Sequence, residues 1–410
     1  MISRIYMPKG AALIIDILRA AGHEAYIVGG CVRDCLMGKA PYDWDITTSA
    51  APPLVKVLFP RTADTGLKHG TVTVLMGRAA YEVTTFRVDG AYTDNRRPDS
   101  VSFTDDLRED LLRRDFTINA MAYSRETGIV DMFGGMDDLK AGVIRGVGCP
   151  DARFKEDALR MLRAVRFSAQ LGFEIEPETW AALKANAPLI ANISIERVRD
   201  ELLKLLLGEH TENFARLNES GVLRYVGGGL DGVFGPNLEK NLPALRICPK
   251  DANARLSLLL AGAPDARKVL RFLKLDNDTI KYVSTLAGRL PGPPPASAYE
   301  TRRLLHEIGP EAARGLIALK RVQAEAAGDL NGARACENAD DLLRRILEAG
   351  DCFDLSALNI DGEQLKALGV REGREIGRVL NALLDAVMRY PAANDADTLK
   401  ELVLMNLTNK

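Results

Sequence analysis

Hydrophobic positions change rhythm along the chain. Up to about residue 140 they come in short runs bounded by turn residues, the signature of strands. Ala25 to Val28 is an apolar run that ends at Gly29-Gly30, and Cys31 to Met37 then reads as a helix. Asp43 to Thr47, Thr71 to Met76 and Tyr81 to Arg87 read as further strands. From about Ala141 onward helical periodicity takes over, most clearly in Phe154 to Leu171, Glu178 to Ala185 and Ile195 to Leu207. Arg289 to Ser297 is a proline-rich break, a linker or domain corner. Ala298 to Lys410 is again helical, punctuated by Gly309-Pro310 and Gly350-Asp351. The pattern predicts a small α/β head followed by a long all-helical region.

The length of 410 residues suggests two to four domains at roughly 100–200 residues each. Hydrophobic residues are 47% of the chain, enough for real cores, which excludes a disordered chain. Lys and Arg number 54 against 56 Asp and Glu, so any nucleic-acid binding must rest on local basic patches rather than bulk charge. The cysteines at 31, 35, 149, 248, 336 and 352 are scattered, without a CxxC. No disulfide framework or zinc site is expected, and a reducing cytoplasm is the natural location. The apolar stretch Ala11 to Ala21 is broken by Asp16 and Arg19, so it reads as an amphipathic helix and not a signal peptide. No apolar run approaches the ~20 residues of a membrane span.

Three segments carry chemistry. In Tyr26-Ile-Val-Gly-Gly-Cys-Val-Arg-Asp34 a strand runs through Gly29 and Gly30 into a helix, with Arg33 one turn in. Backbone N–H groups and a guanidinium there suit a triphosphate, although a tight turn without a ligand reads the same way. In Tyr42-Asp-Trp-Asp-Ile-Thr47, strand geometry puts Asp43 and Asp45 on one face. Paired carboxylates suit Mg²⁺, which prefers carboxylate and phosphate oxygens. Glu82 on the strand after them is the best third carboxylate. An exposed polar strand face is the plain alternative.

The third segment is Phe154 to Gln170. On a helix at ~100° per residue, Ala158, Met161, Leu162, Val165 and Ala169 form the packed stripe. Asp157, Arg160, Arg163 and Arg166 step round the other side. An ordinary solvated face with one ion pair would look alike. A carboxylate only accepts and a guanidinium only donates. Side by side, Asp157 and Arg160 complement the amino group and ring nitrogen of cytosine or adenine, and face like partners on uracil or guanine. Arg163 and Arg166 are then left for phosphates or stacking.

These residues resemble the class II tRNA nucleotidyltransferases (CCA-adding enzymes) of the poly(A) polymerase and DNA polymerase β superfamily. The resemblance is carried by Gly29-Gly30-Cys-Val-Arg33-Asp34, Tyr42-Asp-Trp-Asp-Ile46, Gly70-Thr-Val-Thr-Val74 and Tyr81-Glu-Val-Thr-Thr-Phe-Arg87. Arg113-Arg-Asp-Phe-Thr-Ile-Asn-Ala120 and Glu156-Asp-Ala-Leu-Arg160 with Arg163 and Arg166 complete it. The order holds over roughly the first 210 residues. It implies a polymerase-β-type head (1–140), a helical neck (141–208), a body (209–296) and a tail (297–410). It further implies metal on Asp43 and Asp45, triphosphate at Gly30 and Arg33, and Arg114 at the nucleotide. Asp157 and Arg160 would read CTP and ATP, while body and tail grip the acceptor and T arms of tRNA. A flexible segment, here about 88–103, would help switch from CTP to ATP.

The remaining readings are weaker. His23, His69, His210 and His306 are isolated and suit structural roles. Cys31 beside the glycine turn is a small residue that fits, not a nucleophile. Arg302-Arg303 and Arg344-Arg345 offer RNA contacts or solvated faces. Three rivals share the head: a CC-adding or A-adding enzyme, a poly(A) polymerase, and a catalytically silent RNA-binding protein. Gly66-Leu-Lys-His-Gly-Thr-Val-Thr-Val74 looks like the CCA-adding type, without the Gly-Arg-Arg stretch of polyadenylating relatives. Intact Asp43, Asp45, Arg114, Asp157 and Arg160 weigh against a silent protein.

Overall fold

The computed structural model describes residues 4–90, 95 and 100–408. The chain forms two compact units, Met1–Gly232 and Val233–Lys410. The strands of the first are β1 (Ala25–Val28), β2 (Ile46–Thr48), β3 (Thr62–Gly66), β4 (Thr71–Met76), β5 (Ala79–Thr85) and β6 (Arg87–Asp89). They continue as β7 (Val101–Phe103), β8 (Met121–Ser124), β9 (Gly128–Asp131), β10 (Val143–Ile144) and β11 (Glu174–Ile175). Its helices are α1 (Lys9–Ala20), α2 (Gly30–Leu36), α3 (Pro52–Leu58), α4 (Leu107–Leu112), α5 (Gly135–Ala141) and α6 (Pro150–Glu156). After them come α7 (Leu159–Leu171), α8 (Pro177–Asn186), α9 (Ile195–Leu206), α10 (Ala215–Glu219) and α11 (Val222–Val226).

Seven strands make one mixed sheet in the order β3-β4-β5-β2-β1-β8-β9. Only β2 and β5 run parallel among its neighbours. Strand β1 is buried on both faces, as its unbroken apolar run implies. Ala25 and Ile27 enter the core with Ile14, Leu18, Ile46 and Val83. Tyr26 and Val28 point the other way, to Phe86, Leu111 and Ala122. That period of two makes β1 the centre of two cores.

The predicted strand at Asp43 begins only at Ile46, so Asp43 and Asp45 lie in an irregular lead-in. The Val28 N–H still donates to the Asp45 carbonyl at 3.0 Å, so the lead-in stays in register. The strand predicted at Tyr81 to Arg87 ends at Thr85, and Arg87 starts β6, which pairs with β7. Strands β3, β8 and β9 were not legible. β3 is a polar, half-exposed edge, and β8 is buried throughout and so lacks alternation.

The single helix expected over Phe154 to Leu171 is two helices. Asp157 stands between them in extended conformation, φ −136° and ψ 102°. Its carboxylate accepts from the Leu159 N–H at 3.1 Å. Aspartate often competes with helix in this way, by bonding the backbone two residues on. Ala158 remains buried and keeps the apolar stripe continuous, which hides the break from a periodicity reading.

The division between units falls inside α12 (Leu230–Ile247), within the segment expected as the body. The second unit continues with α13 (Ala252–Leu259), α14 (Ala266–Phe272), α15 (Asn277–Arg289), α16 (Ala298–Ala326) and α17 (Leu330–Ala349). Its last helices are α18 (Gly362–Ala367), α19 (Arg374–Arg389) and α20 (Ala396–Thr408). The proline-rich break separates α15 from α16, and buried Lys320 donates to the carbonyls of Leu290 at 3.0 Å and Gly292 at 2.8 Å. Gly309 interrupts α16 at φ 79°, and Gly350 ends α17 at φ 66°, as the two punctuation marks implied.

Arg302 is not an RNA contact. It is buried, pairs with Asp351 at 2.6 Å and donates to the Met388 carbonyl at 2.9 Å. Breaking a buried pair leaves an uncompensated charge. Arg302→Ala should therefore lower stability by about 3 kcal/mol in urea unfolding. A loss below about 1 kcal/mol, the range of exposed pairs, would show that the pair is dispensable.

Candidate active site

A cavity of about 580 Å³ opens in the first unit. Gly29, Gly30, Arg33, Asp43, Asp45, Arg114, Asp157, Arg160, Arg163 and Arg166 all line it, although they come from segments far apart in the chain. Seven arginines line it against five aspartates, an excess of positive charge suited to a polyanion.

The glycine turn builds one wall. Gly29 has φ 81°, which favours glycine, and a Cβ there would stand 3.1 Å from Arg114 Nη1. The turn lets α2 start at Gly30 and brings Arg33 to the cavity. The Arg33 guanidinium donates to Asn119 Oδ1 at 2.6 Å and to Asp34 at 2.9 Å. Cys31 is buried, and burial pushes its thiol up to about 12, so it is no nucleophile.

The carboxylates form a second wall. Burial, and next the charge of Asp43, raise the Asp45 pKa to about 6, with Arg114 opposing and Glu82 adding. A half-buried carboxylate beside like charges is the donor set a hard divalent cation satisfies. Among the described residues no group of three or more His, Cys, Asp or Glu is assembled to hold a metal. Glu82 is exposed on β5 and does not line the cavity. The parallel register Ile46↔Val83 nonetheless sets it level with Asp45.

The third wall changes the expected picture of Asp157 and Arg160. They do not share a helix face, and each has its own partners. Arg197 on α9 grips Asp157, with Nη2 at 2.8 Å from Oδ2 and Nη1 at 3.3 Å from Oδ1. Arg160 is buried, pairs with Glu156 at 2.6 Å and donates to the Arg113 carbonyl at 2.6 Å. Nor are Arg163 and Arg166 unengaged. Arg163 donates twice to Asp115, at 2.8 and 2.5 Å. Arg166 stands 3.1 Å from Glu201 and 4.2 Å from the centre of the Phe167 ring. Burial, and next the Arg163 charge, lower the Arg166 pKa to about 10 despite Glu201.

Sequence reasoning named Asp115 and Asn119 only inside the Arg113–Ala120 motif and missed Arg197, as well as Glu201, which pairs with Arg166 without lining the cavity. Asp115 is buried and accepts from the Phe116 N–H at 2.8 Å and from Asn119 at 3.1 Å. Burial would raise its pKa, but Arg163 and the hydrogen bonds hold it far below the carboxylate range. Two polar residues bracketing Phe116 and Ile118 were the available signal. Arg197 and Glu201 sit four apart on α9 and read as a routine helix pair. Residues 88–90, 95 and 100–103 of the expected switch segment are described, and Val88 and Asp89 pair with Ser102 and Val101 between β6 and β7. Asn95 donates to the Lys155 carbonyl at 2.6 Å and accepts from the Ala158 N–H at 3.0 Å, so it brackets the Asp157 break. Residues 91–94 and 96–99 lie outside the described residues.

Known proteins resemble this chain over nearly its whole length. The poly(A) polymerase head domain matches residues 25–145. A probable RNA- and SrmB-binding region of polymerase A matches 172–230. A CCA-adding enzyme of Lactiplantibacillus plantarum is 38% identical, covering 98% of this chain and 97% of that one. One from Geobacillus thermodenitrificans is 39% identical, over 95% of this chain and 94% of its own. The crystal structure of the Bacillus stearothermophilus CCA-adding enzyme in complex with CTP superposes with a TM-score of 0.82 at 33% identity, covering 99% of both chains. The polymerase-type head, the helical remainder and the near full-length identity converge: this chain belongs to the CCA-adding enzymes, a family of tRNA nucleotidyltransferases.

Proposed function

We propose that the three-walled cavity performs the family's reaction, the addition of CCA to the 3′ end of tRNA from CTP and ATP, with each wall doing one task. The observation that supports this is the convergence of glycine turn, paired carboxylates and base-reading residues on one cavity. The triphosphate lies against Gly29, Gly30 and Arg33, with Arg114 beside it. Arg163 and Arg166 add positive field. Asp157 and Arg160 read the base, which requires Arg197 to share or release Asp157. Arg160 keeps its place through Glu156 and the Arg113 carbonyl.

Family membership implies a divalent metal, and we assign Mg²⁺ to Asp43 and Asp45, with Glu82 as an outer carboxylate. Asp43 and Asp45 would hold it, and when bound it would supply a lowered pKa for the attacking 3′ hydroxyl and positive charge against the phosphates. Asp43 and Asp45 supply the hard oxygen ligands, and Arg33 draws the leaving pyrophosphate. We divide the chain into head (1–140), neck (141–208), body (209–296) and tail (297–410), with body and tail holding the acceptor and T arms of tRNA by backbone and shape. The head-domain match at 25–145 supports the head assignment, while the RNA-binding match at 172–230 spans parts of both neck and body. We place the enzyme in the cytoplasm, where six free cysteines persist. No helix among the described residues is long and apolar enough to cross a membrane.

An extension assay tests the whole reading. With CTP, ATP and Mg²⁺, tRNA lacking its CCA end should grow by three nucleotides and stop, and Asp43→Ala should abolish growth while tRNA binding survives. A stop after two C residues would make it a CC-adding enzyme, extension of CC-ended tRNA only an A-adding one, and a long adenylate ladder a poly(A) polymerase. No growth at all would return the silent RNA-binding protein.

Asp45 carries a stability signature. Its pKa is raised from 3.8 to about 6 on folding, so the folded chain holds the proton more tightly than the unfolded one. Stability therefore falls as pH rises between about 4 and about 6. In chelator at about pH 8, Asp45→Asn should raise the melting temperature by a few degrees, and the gain should vanish below about pH 4. A lower melting temperature at about pH 8 would refute the charge crowding.

We assign the switch from C to A to the 88–103 segment acting through Asn95 on the Asp157 break. Asn95→Ala should slow A addition to CC-ended tRNA by roughly tenfold, the worth of a hydrogen bond or two, and leave C addition nearly intact. Equal slowing of both steps in single-turnover kinetics would remove Asn95 from the switch.

A further inference from the structure

Tyr42 is the fully exposed large side chain of the cavity, at 101% of its reference accessibility. It stands at a bend directly before Asp43 and lines the same cavity as Asp43 and Asp45. Among the described residues nothing hydrogen-bonds to it, pairs with it or stacks on it. Its neighbours differ. Trp44 packs against the head core. Phe167, the other aromatic lining the cavity, is buried at 6% and has guanidiniums of Arg33, Arg163 and Arg166 over its ring at 5.1, 5.4 and 4.2 Å. Tyr42 is thus the aromatic face of this cavity that is open to a ligand.

Building on the site assignment above, we infer that Tyr42 is the stacking platform for the 3′-terminal base of the tRNA. The attacking hydroxyl belongs to that nucleotide and must reach the Asp43 and Asp45 carboxylates. Its base therefore arrives about one sugar away from them, where the residue next to Asp43 stands. Other lining residues are already assigned, Gly29, Gly30 and Arg33 to the triphosphate and Asp157 and Arg160 to the incoming base. The chemistry of the task also selects a ring. The terminal base differs between tRNAs at the first addition and is C at the next two. A hydrogen-bonding reader would reject some of these ends. An aromatic face accepts all of them, because every base has a π-face.

The test is a cycle of protein and primer changes. The proteins are wild type, Tyr42→Ala, Tyr42→Phe and Asp43→Ala. The primers are tRNAs with a normal or an abasic 3′-terminal nucleotide. Tyr42→Ala should raise KM for normal tRNA by roughly tenfold, within the range of base–aromatic stacking. KM for CTP and the melting temperature should stay unchanged, and Tyr42→Phe should behave as wild type. The abasic primer should cost wild type the same factor and cost Tyr42→Ala nothing more. Three results would overturn the platform: a tRNA KM within twofold of wild type, losses from protein and primer that multiply, or a rise in KM for CTP instead of tRNA. If Asp43→Ala still extends tRNA, the site assignment itself fails, an outcome distinct from the loss of Tyr42's role.

Discussion

The site hangs on one buried charge. Asp115 sits away from water, where an unpaired carboxylate would be strongly disfavoured, so its partners are obligatory. Arg163 satisfies it with two hydrogen bonds, and Asn119 and the Phe116 N–H supply the rest. Asn119 in turn orients Arg33 at the glycine turn. Arg163 belongs to α7, whose start positions Arg160. A single ion pair therefore joins the turn assigned to phosphates to the helix assigned to the base. Its cost of desolvation is offset only in this geometry, and that makes it a device for fixing position rather than a source of net stability.

The cavity balances two opposite crowdings of charge. On the carboxylate wall burial, and next the charge of Asp43, push the Asp45 pKa upward, a penalty that a cation relieves. On the arginine wall burial, and next the Arg163 charge, push the Arg166 pKa downward, a penalty that a polyanion relieves. Each wall is poor company for itself and good company for one part of a metal–triphosphate pair. Under the proposed assignment these fixed charges face the places where charge develops during phosphoryl transfer.

The turn assigned to base reading shows how side chains can be placed by a break in regular structure. Asp157 leaves the helix, bonds the Leu159 N–H and is held from α9 by Arg197. Asn95 bonds the backbone on both sides of that break. A residue in such a hinge moves at lower cost than one on a continuous helix, where the whole ladder would have to shift. A pocket that must accept cytosine and then adenine benefits from a reader on that kind of support.

Local chemistry was legible in the amino-acid order. An unbroken apolar run and glycine punctuation marked β1 and its turn, and the ordered motifs named many of the residues that line the cavity. The irregular lead-in at Asp43, the polar edge strand β3 and the continuous burial of β8 were not legible, because each depends on which strands lie alongside. The helix break at Asp157 escaped because Ala158 keeps the apolar stripe intact across it. Partners also escaped: Asp115 finds Arg163, and Asp157 finds Arg197, 48 and 40 residues away. The sequence by itself determined the kinds of groups and their order, since these follow from residue chemistry and local periodicity. Only the tertiary structure decided which charges neutralise one another and which face the cavity, because burial and long-range pairing exist only once the chain has closed on itself.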